Sequence, residues 1–193
     1  MKKNLKKLFL AFILIAAATA ITTAQDCGVK RWDVKTLSDV DTSRIDFTHV
    51  VNSTVNEQIN LPKPIGSNKA RVKLEDTVYS IECYIIAFKK ETDDKDIHVV
   101  IQDPITKETM VAEVISWECM SVKKTSRVQQ FKELDNWFDE NIGKPKTKFT
   151  YLIEPKLVRL TGVGFFDTFH GQKGMSPNGR EIHPVLSMEL VVK

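Results

Sequence analysis

The sequence predicts a mainly β domain with a single helix, and three observations carry that expectation. Apolar residues recur at period 2 from residue 77 to 115. The period changes to about 3.6 across 126–143, and two more apolar runs follow at 156–166 and 185–192.

Each element has its own justification. The stretch "TVYSIECYIIAF" from Thr77 puts Tyr79, Ile81, Cys83, Ile85 and Ala87 on one face of a strand that runs to Lys90. Ile97, Val99 and Ile101 alternate in a second strand at 97–102, and Met110, Ala112 and Val114 in a third at 109–115. The connections "KETDDKD" and "DPITKE" are polar and short enough for hairpins or a meander. In "SRVQQFKELDNWFDENIGKP", Val128, Phe131, Leu134, Phe138 and Ile142 form a helical stripe. Ser126 with Gln129 reads as a capping box, and Gly143 followed by Pro145 as the stop. "KLVRLTGVGFF" is then a fourth strand and "VLSMELVV" a fifth. The order β-β-β-α-β-β matches a five-stranded OB-like barrel, whose helix lies between the third and fourth strands; a small open α+β sheet is the alternative. Residues 25–75 are polar and turn-rich, broken by "LPKPIGSN", and are expected to form an N-terminal arm on a 76–193 domain.

Residues 1–24 read as a signal peptide: lysines, an apolar run from Leu8 to Ala18, then small residues that suit cleavage after Ala20 or Ala24. That run is shorter than the ~20 residues a membrane-spanning helix needs, so no transmembrane segment is expected after cleavage. The expected location is periplasmic or extracellular. Loss of Lys2, Lys3, Lys6 and Lys7 changes the balance from 28 basic against 25 acidic residues, a charge of +3, to 24 against 25, a charge of −1. A near-neutral chain lacks the basic field that general nucleic-acid binding requires.

An oxidising compartment also fits the three cysteines. Cys83 falls on the inward phase of its strand, which leaves Cys27 and Cys119 as the expected disulfide. No Cys-x-x-Cys is present to suggest a zinc knuckle or a thioredoxin-like site.

The stretch "FFDTFHGQKGMSPNGREIHPV", residues 165–185, concentrates the polar candidates. In a barrel of this order residues 166–181 connect the fourth and fifth strands, and "KETDDKD" connects the first and second; OB folds grip ligands with these two loops. A connection of about sixteen residues also exceeds the ~4 to 6 of ordinary loops. The candidate ligand-binding residues are Asp167, His170, Gln172, Asn178, Glu181 and His183, with His98 from the second strand. Asp167, His170, Glu181 and His183 are the candidate metal ligands, and a divalent metal is the cofactor such carboxylate and imidazole groups would take. The competing reading makes Asp167 and Asn178 turn caps and the histidines partners of backbone groups. Asp96 and His98, on one strand face, read most simply as solvated, and Gly162 with Gly164 as a bulge or a close backbone approach.

Two function classes follow. One is an exported OB-like binding module, and the other a metal-assisted hydrolase, such as a phosphodiesterase or nuclease, built on the same Asp, His and Glu residues. No nucleophile and base stand at a recognisable spacing, and the acidic "ETDDKD" would repel a phosphodiester. Whether the chain is an enzyme is left open by the residues.

Four segments also carry a resemblance: "RWDVKTLSD" (31–39), "DIHVVIQD" (96–103), "TMVAEV" (109–114) and "GVGFFDTFHGQKGMSPNGREIHPVL" (162–186). Their combination resembles a family of uncharacterised bacterial proteins that share a closing block. That block maps here to Gly162–Asp167, His170–Gln172, Gly174, Asn178, Glu181 and His183–Val185. The resemblance implies a grouping and no residue roles.

Overall fold

A computed structural model of the chain describes residues 27–28, 30–64, 70–119, 122–169 and 171–192. The expected signal peptide and His170 lie outside the described residues. Six strands are present among the described residues: β1 (Val50–Ser53), β2 (Val78–Lys90), β3 (Ile97–Gln102), β4 (Thr109–Val114), β5 (Thr150–Phe166) and β6 (Arg180–Leu190). Three α-helices accompany them among the described residues: α1 (Trp32–Lys35), α2 (Val55–Ile59) and α3 (Val128–Asn141). The chain is mainly β, with a six-stranded mixed sheet. Among the described residues no helix is long and apolar enough to cross a membrane.

The pairing order decides where the sheet ends meet. β2 pairs antiparallel with both β3 and β5, β3 antiparallel with β4, β4 parallel with β6, and β6 antiparallel with β5. The hydrogen bonds therefore run β2–β3–β4–β6–β5 and return to β2. Alternation fills the inside of this ring. Ile81, Cys83, Ile85, Val99, Ile101, Ala112, Leu160 and Ile182 all face it and are fully buried. Phe138 of α3 reaches the same core, with its ring edge-on to Phe88 at 5.2 Å. Gly143 ends that helix region at φ 135°, a conformation only glycine adopts freely.

The ring needs its two strand glycines. A Cβ at Gly162 would lie 2.6 Å from the Pro184 carbonyl oxygen, and one at Gly164 would collide with the Arg180 guanidinium. The β5–β6 register shifts on both sides of Gly162, so the bulge and the close approach coincide.

Several boundaries differ from those the sequence predicts. β1 is a sixth strand inside the arm, parallel to the start of β2; its pattern of exposed and half-buried residues gives no hydrophobic signal. β5 begins at Thr150 rather than 156 because its first turn of sequence is mostly exposed. β6 begins at Arg180 rather than 185 because its first residues are polar yet buried. The connection between them is accordingly 167–179. No Ser126–Gln129 capping box forms: the residue before α3 is Arg127, with no side-chain cap, and Ser126 lies a position too early.

The arm is tied down at several points. Cys27 and Cys119 are disulfide-bonded, while Cys83 is free and buried. Arg71 bonds to Asp39, to the Val34 carbonyl and to the Glu75 carbonyl. α2 carries a capping box between Thr54 and Glu57.

Candidate functional site

The polar residues of β3, β4 and β6 share the face opposite the core. His98 pairs across to Glu113, and Val111 to Glu181, so alternation sends His98, Glu113, Glu181 and His183 outward from the ring. An outward face ordinarily meets water. Here the arm and the 167–179 connection cover it, and all four residues are buried, as is Asp96 just before β3. Asp96 and His98 are thus not the solvated strand face the sequence suggests. Gly174 makes the cover fit: at φ 83° it lies so close on Val100 that a Cβ would approach to 2.5 Å.

Two imidazoles organise this layer. His98 Nε2 lies 2.8 Å from the Lys173 carbonyl oxygen, and Nδ1 lies 3.1 Å from Glu113 Oε1. A carbonyl only accepts, so Nε2 carries a hydrogen. Burial favours a neutral Glu113, but the hydrogen bond and charge of His98 outweigh it and hold the carboxyl below its usual range. An ionised carboxylate also only accepts, so the pairing with Glu113 favours a hydrogen on Nδ1 as well. The raised pKa of His98 agrees: burial opposes the charge, and Glu113 overcomes it.

His183 bridges two further acids. Nδ1 is 3.3 Å from Glu181 Oε1 and Nε2 is 3.4 Å from Asp96 Oδ2, while the Ser116 amide donates to Asp96 Oδ1 at 2.8 Å. Burial pushes the Asp96 carboxyl up to about 7, against the pull of His183. It also drives Glu181 well above its usual range: Lys35 opposes the shift and the charge of Asp167 adds to it.

These shifts set a pH dependence. A raised carboxyl such as Asp96 is costly to ionise, so stability falls as pH rises from its ordinary value of 3.8 towards about 7. His98, also raised, contributes stability that is full below 6.5 and lost as pH climbs through its folded value. Asp39 and Glu113, which are lowered, act at the acid end and lose their contribution as pH drops. Urea midpoints should therefore peak at about pH 4 to 5 and decline towards about pH 7, and Asp96→Asn should flatten that decline. A profile rising over this window would contradict the assignment.

Above the layer lies a cavity of ≈ 170 Å³. Its wall carries the carboxylates of Glu91, Asp93, Asp94, Glu113 and Asp167, the lysines Lys30 and Lys35, and Gly28, Trp32 and Gln172. Lys35 Nζ is 3.7 Å from Asp167 Oδ2 and 5.5 Å from the centre of the Phe165 ring. Burial alone would lower its pKa, but Glu181, Asp167, Glu113 and Asp94 together raise it. Asp94 is pushed up to about 6, first by burial and then by the charge of Glu113.

The sequence-predicted residues separate into three groups. Asp167 and Gln172 line the cavity. His98, Glu181 and His183 lie in the buried layer, the last two on β6 rather than in a loop. Asn178 is engaged elsewhere: its amide donates to the Gln58 and Leu61 carbonyls, and its oxygen accepts from the Arg180 amide. Among the described residues no three His, Cys, Asp or Glu side chains are grouped to hold a metal ion. The sequence reading does not anticipate Trp32, Lys35 or Glu113. Glu113 has a signal, the off-phase residue of an alternating strand, whereas the two arm residues have none. No family model, curated protein or solved structure matches the chain.

Proposed function

We propose that the chain is an exported binding module of the OB type, with its ligand held in the cavity between residues 91–96 and 167–179. The position of the cavity carries this reading. In the ring β2–β3–β4–β6–β5, with α3 between the third and fourth of those strands in sequence, these segments are the first-to-second and fourth-to-fifth connections. They flank the outer face of the second and third strands, where OB folds take ligands. The acidic wall also runs against a polyanionic ligand. Export is supported by the lysine-rich, apolar order of residues 1–24 and by a disulfide of the kind that persists in oxidising compartments.

One observation favours the second reading, a hydrolase. Glu113 is held down and Glu181 driven up, and two carboxyls differing in protonation are what acid and base catalysis require. Glu181, however, is not on the cavity wall, and the described residues hold no metal-ligand group.

A fragment screen by crystal soaking tests the binding reading. Bound fragments should collect against Trp32 and Gln172. Fragments found solely in the groove between α3 and β6, beside Leu134, Trp137 and Leu186, would overturn it.

A further inference from the structure

The cavity's chemistry narrows the ligand class, and this inference rests on the binding-module reading. Most of the acidic wall already has partners. Glu91 is matched by Lys89 at 2.8 Å, Asp167 by Lys35 at 3.7 Å, and one oxygen of Glu113 by His98 at 3.1 Å. The other oxygen of Glu113, Oε2, is buried with no hydrogen-bond partner, and the residue is only 5% exposed. A buried, ionised acceptor without a donor is costly, so an oxygen of this kind on a cavity wall calls for a donor from a ligand.

Asp94 faces the same space, and the charge of Glu113 contributes to its raised pKa, so the two carboxylates repel across the cavity. A cation between them would relieve both. A metal ion is a poor match, because the described residues hold no group of three ligands for one. The wall also includes the indole of Trp32, an aromatic surface suited to a cation carried on carbon. The fold already treats one ammonium this way: Lys35 sits among carboxylates with its Nζ over the Phe165 ring.

We propose that the cavity is a binding site for a small primary alkylamine, its ammonium group between Asp94 and Glu113 and its carbon chain along Trp32. The nitrogen donates to Glu113 Oε2, which has no hydrogen-bond partner among the described residues, and the protonated amine supplies the charge that Lys30 and Lys35 leave unbalanced.

Calorimetry with n-butylamine, n-butanol and calcium chloride as separate titrants, at about 0.15 M ionic strength to screen loose surface attraction, tests this directly. The amine should bind and the alcohol should not. Asp94→Asn, at a half-buried position, and Glu113→Gln should each weaken amine binding by roughly tenfold or more, the size of a lost charge-assisted hydrogen bond. Asp94→Asn is the deciding variant should Glu113→Gln disturb the His98 pair. Amine binding unchanged by Asp94→Asn would overturn the proposal, as would calcium binding with no amine binding. If neither titrant binds while fragments still collect at Trp32, the ammonium assignment fails and the binding module stands. If no fragment binds there either, both fall.

Discussion

Replacing Asp39 by alanine should cost about 3–5 kcal/mol of folding free energy, the range for leaving a buried charge without its partner. The Arg71 side chain is fully buried, and its Nη2 lies 2.7 Å from Asp39 Oδ1. Its remaining hydrogen bonds go to the Val34 and Glu75 carbonyls, which cannot neutralise it. Burial raises the Asp39 carboxyl, but hydrogen bonds from Arg71 and Thr42 outweigh it and hold the group below its usual range, so the pair is stable as ions. Urea unfolding of Asp39→Ala measures the loss. Adding Arg71→Met should recover part of it, because removing both charges leaves an apolar contact in place of an orphaned cation. A loss under about 1 kcal/mol for Asp39→Ala would mean that water reaches the guanidinium.

The second large effect belongs to the disulfide. Cys27 and Cys119 are separated by 92 residues in sequence, and closing a loop of that size restricts the unfolded chain by about 4.6 kcal/mol. Cys27→Ser combined with Cys119→Ser should lose about that much stability, and the unaltered protein in reductant should match the variant. The site should suffer as well, since the bond anchors the arm just ahead of Trp32 and Lys35, two residues of the cavity wall. Amine binding should therefore weaken in the double variant even under conditions where the ring stays folded. An unfolding midpoint that reductant leaves unmoved would show that the bond contributes nothing.

The legible and illegible parts of this protein divide along a physical boundary. Ile81, Cys83 and Ile85 alternate on β2, and the 3.6-residue stripe of Phe131, Leu134 and Phe138 marks α3. Both patterns are local, because a strand or helix that buries one face writes its period into consecutive residues. The same alternation put Cys83 inside and left Cys27 and Cys119 to each other, and those two are joined in the structure.

The start of β6 was harder to read. Arg180, Glu181 and His183 are buried, yet polar residues carry no hydrophobic period, so the sequence placed this stretch in a loop. β1 escaped notice for a related reason: its four residues stay half exposed and pair in parallel with a strand twenty-eight positions away.

By itself, then, the sequence determined the order of five of the six strands, the single long helix, the burial of Cys83, and the acidic and histidine-bearing segments that flank the cavity. The tertiary structure alone decided that Lys35 and Trp32 of the arm would close over Glu113, that His98 would pair with it, and that Glu113 Oε2 would remain without a donor among the described residues. Periodicity reports which face of an element is buried against its immediate neighbours. It does not report what a distant segment, fastened through Cys27 and Arg71, later lays across the opposite face, and that covering layer is what turns an exposed row of polar residues into a buried, charged cavity.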